Sequence, residues 1–158
     1  MAYLNGKRIG IRLYGGEGGG SNKLQELAAG TITEVTEADL EGATGIRPNF
    51  FSMCYQLKTV VIPASVAYIG EQAFQACTGL KTVTLKGSPS LLSQAFGVCM
   101  TLESLIIESA TPPHLGYTDV FQGTPSSFKI YVPKGSADTY KAATNWSALA
   151  DKIYELEV

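Results

Sequence analysis

The sequence predicts an α/β repeat solenoid, with a narrow parallel sheet on one side, turns or short helices on the other, and a helical cap at the C-terminal end. Three observations predict it. The segments FFSMCYQL (50–57), AFQACTGL (73–80) and AFGVCMTL (95–102) recur in one frame, with Phe51, Phe74 and Phe96 spaced 23 and 22 residues apart. A fixed period in this range is the signature of stacked supersecondary units. Each segment then runs into an L-x-x-V-x-I pattern, as in Leu57, Val60, Ile62 and Leu80, Val83, Leu85, and residues two apart share one face of a short strand. Finally, five or six inward apolar positions per unit cannot be buried by one unit alone, so neighbours must stack around a continuous core.

In chain order, residues 1–20 are expected to form a hairpin and a linker. YLNGKRIGIRLY (3–14) contains an Asn-Gly turn signal followed by alternating Ile9, Ile11 and Leu13. GGEGGGSN then reads as a flexible tether, and KLQELAA (23–29) as a helical turn. A phosphate-cradling role for the glycines is disfavoured, because Ser21 stands where a third glycine is needed and no Gly-Lys-Ser/Thr follows.

Residues 21–133 are expected to hold the stacked units with their N-terminal cap. ITEVTEADLEGATGI (32–46) reads as a leading copy, with Val35 in its strand and two extra residues in its turn. Its acidic run EVTEADLEG does not have calcium-loop spacing and reads as a solvated turn. Ile46, Ile69 and Leu91 each precede the Phe by five residues, so the earlier half of the unit repeats too. A fourth, degraded copy begins at Phe121, with Thr124 at the Cys offset, Ser127 at the Leu offset, Ile130 and Val132 in the strand, and Pro133 matching Pro63.

All three cysteines, Cys54, Cys77 and Cys99, share one offset, three residues after the Phe and three before the Leu. Three identical settings argue for core filler rather than one special nucleophile. Zinc would want a fourth ligand and closely paired cysteines, and the only histidine, His114, sits in TPPHL. Disulfides between adjacent units fall within reach, but parallel Cβ vectors hold the carbons near strand spacing, longer than a relaxed bridge prefers. Reduced thiols are expected.

Residues 134–158 are expected to form the C-terminal cap. Gly135-Ser136 starts a helix over 137–143, with the Ser hydroxyl accepting from free backbone N–H groups. Tyr140, Trp146, Leu149 and Ile153 supply an apolar lid that closes the terminal unit.

The run IPASVAYIGEQAFQACTGLKTVTL (62–85) resembles the repeat of BspA-like leucine-rich repeat proteins, whose unit has the form I-P-x-x-V-x-x-I-G-x-x-A-F-x-x-C-x-x-L-x-x-V-x-L. The resemblance covers roughly residues 32–133, and YVPKGSADTYKAATNWSALADKI (131–153) is similar to the closing segment of such proteins. It implies a right-handed solenoid used for recognition, commonly on bacterial surfaces, in host-associated bacteria and in some phages, without catalytic activity. Two copies depart from the pattern: NFFSM replaces the small-then-Phe pair in the first, and GSPSLLSQAF lacks the I-P and I-G signatures in the third. MAYLNGK resembles the starts of phage structural proteins from gut bacteria.

Composition narrows the function. The 158 residues carry a net charge of −2 with 16% charged residues, so no basic footprint for nucleic acid exists. The start, MAYLNGKRIG, has no apolar h-region or small-residue cleavage site, and no apolar run is long enough for membrane insertion. No signal peptide is expected in this chain, no hydrolase elbow accompanies His114, and neither a cofactor nor a metal is implied. The expected role is a non-enzymatic recognition or adhesion module at a cell surface or in a virion, with a protein or glycan as ligand and self-association into a homo-oligomer as a further expectation. The alternative is a structural or assembly component of a phage particle or surface complex. Binding is expected on the outward strand positions, Thr59 and Val61, Thr82 and Thr84, Ser104 and Ile106, and Lys129 and Tyr131, flanked by Lys58, Lys81 and Glu103.

Overall fold

The computed structural model describes residues 2–4, 7–9 and 30–157. Strands β1 (Ala2–Leu4) and β2 (Lys7–Ile9) pair antiparallel, with Leu4 opposite Lys7, and the Asn-Gly pair expected to turn between them lies outside the described residues. The Gly-rich run, the expected helix over 23–29, and Ile11 and Leu13 lie outside the described residues.

The main sheet has six strands in the order β10-β9-β8-β6-β4-β3, all parallel. They are β3 (Glu34–Val35), β4 (Thr59–Ile62), β6 (Thr82–Leu85), β8 (Ser104–Ile107), β9 (Lys129–Val132) and β10 (Ile153–Glu155). Register is strict: Val35, Val60, Val83, Leu105, Ile130 and Ile153 align on the inward face, each buried. A one-residue slip would turn this row to solvent, which is why the alternation fixes the pairing.

The opposite side combines the expected turns, over 71–76 and 93–98, with extended segments. A second parallel ladder joins β5 (Tyr68–Ile69) to β7 (Ser90–Leu91) and is extended by bridges from Ile46 to Ile69 and from Leu91 to Leu115. Of the V-x-x-I-G-x-x-A-F stretch, expected as a turn or short irregular helix, the part at Tyr68–Ile69 is extended where it passes the core, and the part from 71 onward is the expected turn. Gly70 follows Ile69 because a Cβ there would lie 2.6 Å from the Pro48 nitrogen of the preceding repeat.

After Ile46, Ile69 and Leu91 the chain turns through two left-handed positions, and after Leu115 through one. Asn49, Gln72 and Gln94 form one column, and Met53, Ala76, Val98 and Gly123 form another, with φ between 50° and 79°. Non-glycine residues occupy this region at a steric cost and persist there only when the surroundings over-determine them. Here inter-repeat hydrogen bonds do so: Met53 N–H donates to the Gln75 carbonyl at 2.8 Å, Ala76 N–H to Gly97 at 2.8 Å, and Val98 N–H to Gln122 at 2.6 Å.

Between sheet and turns runs a column of rings. Phe51, Phe74, Phe96 and Phe121 stack nearly parallel at centroid distances of 4.9, 5.1 and 5.8 Å. The fourth repeat corrects the expected frame: Ser127 is exposed, and Phe128, one residue later, fills the slot of the leucine, 5.4 Å from Phe121.

Helix α1 (Ala137–Ala142) follows, then a 3₁₀ segment (Trp146–Lys152), then β10. Ser136 does not cap the helix as expected. Its hydroxyl donates to the Pro133 carbonyl instead, and the free N–H of Ala137 is taken by the Glu155 carboxylate at 3.1 Å. The Ser136 N–H also donates to the Pro133 carbonyl at 3.1 Å, as the Val66 N–H does to that of Pro63 at 3.1 Å, with Gly135 at φ 80° in the later turn. Ile153, expected in an apolar lid, is instead the buried residue of an edge strand paired with Ile130. Tyr140 and Trp146 are buried as expected.

Candidate functional site: the outward sheet face and its flanks

The eight expected binding residues fall on four adjacent strands in two rows. One row runs Glu34, Thr59, Thr82, Ser104, Lys129, and the other Val61, Thr84, Ile106, Tyr131. Thr59 and Lys129 are exposed and the other six expected residues half-buried. The residues that alternate with them within each strand, Val60 and Ile62, Val83 and Leu85, Leu105 and Ile107, and Ile130 and Val132, are buried, so the outward assignment follows directly from the pleat.

Strand β10 adds a residue that sequence reasoning missed. Tyr154 aligns with Tyr131 at a ring distance of 6.2 Å, 44% exposed, with the Lys129 ammonium 5.1 Å from its ring centroid. A signal for it was available: Lys152-Ile153-Tyr154 repeats Lys129-Ile130-Tyr131 at the same interval of 23 residues. Of the flanking residues, Lys81 and Glu103 form an ion pair at 3.1 Å, which neutralises the rim beside β6 and β8.

The other exposed large apolar side chains lie away from the sheet. Met53, Tyr55, Val98 and Met100 project from the Phe turns of the first and third repeats, where the segments FFSMCYQL and AFGVCMTL contain no charged residue. Tyr117 is exposed on the fourth.

The cysteines carry no open chemistry. All three are free and buried. The Cys77 thiol donates to the Phe51 carbonyl at 3.0 Å and the Cys99 thiol to the Phe74 carbonyl at 3.2 Å, so each stitches its repeat to the one before. Burial pushes Cys99 up to about 12. Cys77 is also raised, first by its contact with Cys54 and then by burial, and the same contact lowers Cys54. A thiol held protonated is a poor nucleophile. His114 is exposed on its loop. Among the described residues no group of three or more His, Cys, Asp and Glu side chains could hold a metal ion, and no helix is long and apolar enough to cross a membrane.

In the acidic turn, Thr36 and Asp39 form a reciprocal pair: the carboxylate accepts from the Thr36 N–H at 2.7 Å and hydroxyl at 2.6 Å, and Asp39 N–H donates to the Thr36 hydroxyl at 3.3 Å. This is a capping box with Asp in the acidic position, engaged in local structure. Glu37 of the same turn pairs with Lys86 at 3.1 Å.

Parallel strands repeated in register, with one side of the sheet turned to solvent, define a stacked-repeat domain of the interaction type. The family model for the BspA type leucine-rich repeat region matches residues 43–143 in six copies, and the chain belongs to that family. The match begins beyond most of the leading copy and continues past Pro133 through helix α1. A comparison with curated proteins finds no match. The family is typically a non-enzymatic binding module and is often surface-associated, so the repeat domain is one of the protein-interaction or adhesion type.

Proposed function

We propose that the chain is a non-catalytic recognition or adhesion module: a solenoid of stacked repeats with a helical C-terminal cap, binding a protein or glycan through the outward face of the six-stranded sheet. One observation carries this reading. Register pairing lines Thr59, Thr82, Ser104 and Lys129, and Val61, Thr84, Ile106, Tyr131 and Tyr154, into two continuous rows ending in an aromatic pair. Arrays of this kind let successive repeats contact one ligand together. The setting is a bacterial surface or a phage particle. Glycan and host-protein screens with the full chain should return a ligand whose binding falls with Val61→Arg and Tyr131→Ala. A ligand indifferent to both variants overturns the reading.

A second reading, an assembly component, is favoured by the uncharged Met53, Tyr55, Val98 and Met100 surface, since charge depletion with Met and Tyr enrichment marks protein interface cores. In it the N-terminal hairpin docks into a larger particle and the chain forms a homo-oligomer. Met53→Lys with Met100→Lys should then lower the oligomeric state in sedimentation. Deletion of residues 1–14 should abolish stoichiometric recovery in particles.

A further inference from the structure

We propose that the outward sheet face takes a neutral, linear polysaccharide lying across the strands, with one end anchored on Tyr131 and Tyr154. The inference rests on the sheet-face reading above and assigns its ligand class.

Spacing is the first support. The pairing places one hydroxyl residue per strand in a line, Thr59, Thr82 and Ser104, with Thr84 beside it in the second row. Adjacent strands lie about 4.8 Å apart. That is close to the advance of one pyranose unit in an extended chain, so each sugar meets an equivalent side chain.

These hydroxyls are also free to bind. Those of Thr59, Thr82, Thr84 and Ser104 make no hydrogen bond among the described residues. Hydroxyls on the turns, by contrast, are consumed internally, as when Ser65 donates to the Ala43 carbonyl at 2.8 Å and Thr101 to that of Thr78 at 2.8 Å.

Charge selects a neutral ligand. Between Glu34 at one end and Lys129 at the other, neither row contains a charged side chain, and the rim charges Lys81 and Glu103 satisfy each other. A nucleic acid or sulfated glycan would find no row of cations here. A protein partner would want clustered large apolar anchors, yet the rows offer only half-buried Val61 and Ile106 before the tyrosines.

The terminal pair supplies the anchor. Two tyrosine rings with centroids 6.2 Å apart present aromatic surface to the C–H face of a sugar, and the Lys129 ammonium beside Tyr154 can donate to ring hydroxyls.

Isothermal titration of the full chain with neutral cello-, xylo- and laminari-oligosaccharides, from disaccharide to hexasaccharide, tests this, with a panel of uncharged peptides in parallel. Affinity should rise with chain length and level off when the strands from β4 to β10 are spanned. Tyr154→Ala should weaken the longest ligand about tenfold or more. Thr82→Val, which keeps shape and removes the hydroxyl, should weaken long ligands several-fold and leave the shortest unchanged. No binding by any neutral oligosaccharide, or binding independent of length, overturns the inference. Peptide binding that falls with Tyr154→Ala overturns the ligand class while leaving the sheet-face reading intact. Glycan binding untouched by Tyr154→Ala, Tyr131→Ala and Val61→Arg overturns both.

Discussion

Cysteine at one offset in three repeats looks, in sequence, like filler, and its burial agrees. The structure adds a directional role, because the thiols of Cys77 and Cys99 reach back to the Phe carbonyls of the preceding repeats. Cys77→Ala therefore removes both a packed sulfur and a hydrogen-bond donor, and chemical denaturation should report a loss of about 2 kcal/mol. Iodoacetamide at about pH 8 should leave the buried Cys77 and Cys99 unmodified in the native protein and label them once denaturant exposes them. Mass spectrometry reads this directly, and rapid native labelling would contradict the buried assignment. Tyr140 acts by the same logic. Its hydroxyl donates to the Ser109 carbonyl at 2.7 Å, so Tyr140→Phe should cost about 1 kcal/mol without altering the fold. The Ser127 and Phe128 exchange shows where frame reading fails: an offset names a slot, but a larger apolar residue next door takes it when the intervening turn permits.

Among the elements, the strands were legible and the junctions were not. Alternation in TVVI, TVTL, SLII and KIYV identifies β4, β6, β8 and β9 with their inward faces, since a parallel neighbour of the same pattern reinforces each choice. Strand β10 was hidden by its length of three residues and its acidic end, and it forms because β9 offers a free edge. Its Glu155 then serves helix α1. The Gly135 and Ala137 N–H groups hold this exposed carboxyl below its ordinary value of 4.5. The ionised form is thus favoured by folding, and its contribution is complete above that value and disappears as pH falls through the depressed one. Glu155→Gln should destabilise the protein modestly at neutral pH, and thermal melts of variant and parent should converge as pH drops below 4.5. A gap that persists in acid would show that the carboxylate is not the source.

For the molecule as a whole, stability resides in contacts between neighbouring repeats, and the aromatic column is their most continuous expression. Phe74 stacks on Phe51 at 4.9 Å and on Phe96 at 5.1 Å, and is fully buried. Phe74→Ala should cost about 3–5 kcal/mol. Phe51 is also buried, but next to it in the column is only one repeat-equivalent ring, so Phe51→Ala should cost less, and urea unfolding of both variants tests the order. The C-terminal segment packs on the loop over 109–115 through side-chain donors. Tyr140, Asn145 and Trp146 donate to the carbonyls of Ser109, Leu115 and Pro113, at 2.7, 2.7 and 2.6 Å.

The period of 22 or 23 residues, the inward rows, the parallel sheet and the outward face with eight of its residues could all be read from the chain. Each repeat packs against a near copy of itself, so a local pattern already specifies the tertiary neighbour. The extended second ladder, the role of Phe128, strand β10 with Tyr154, and the Glu155 contact to helix α1 depended on the folded molecule. They arise where the repetition breaks, through partners such as Ala137 and Glu155, 18 residues apart, or Pro113 and Trp146, 33 apart. Such pairs share no periodic pattern. They meet only because the stack beneath them has already positioned an unpaired edge, a free N–H group or an open carbonyl that must be satisfied.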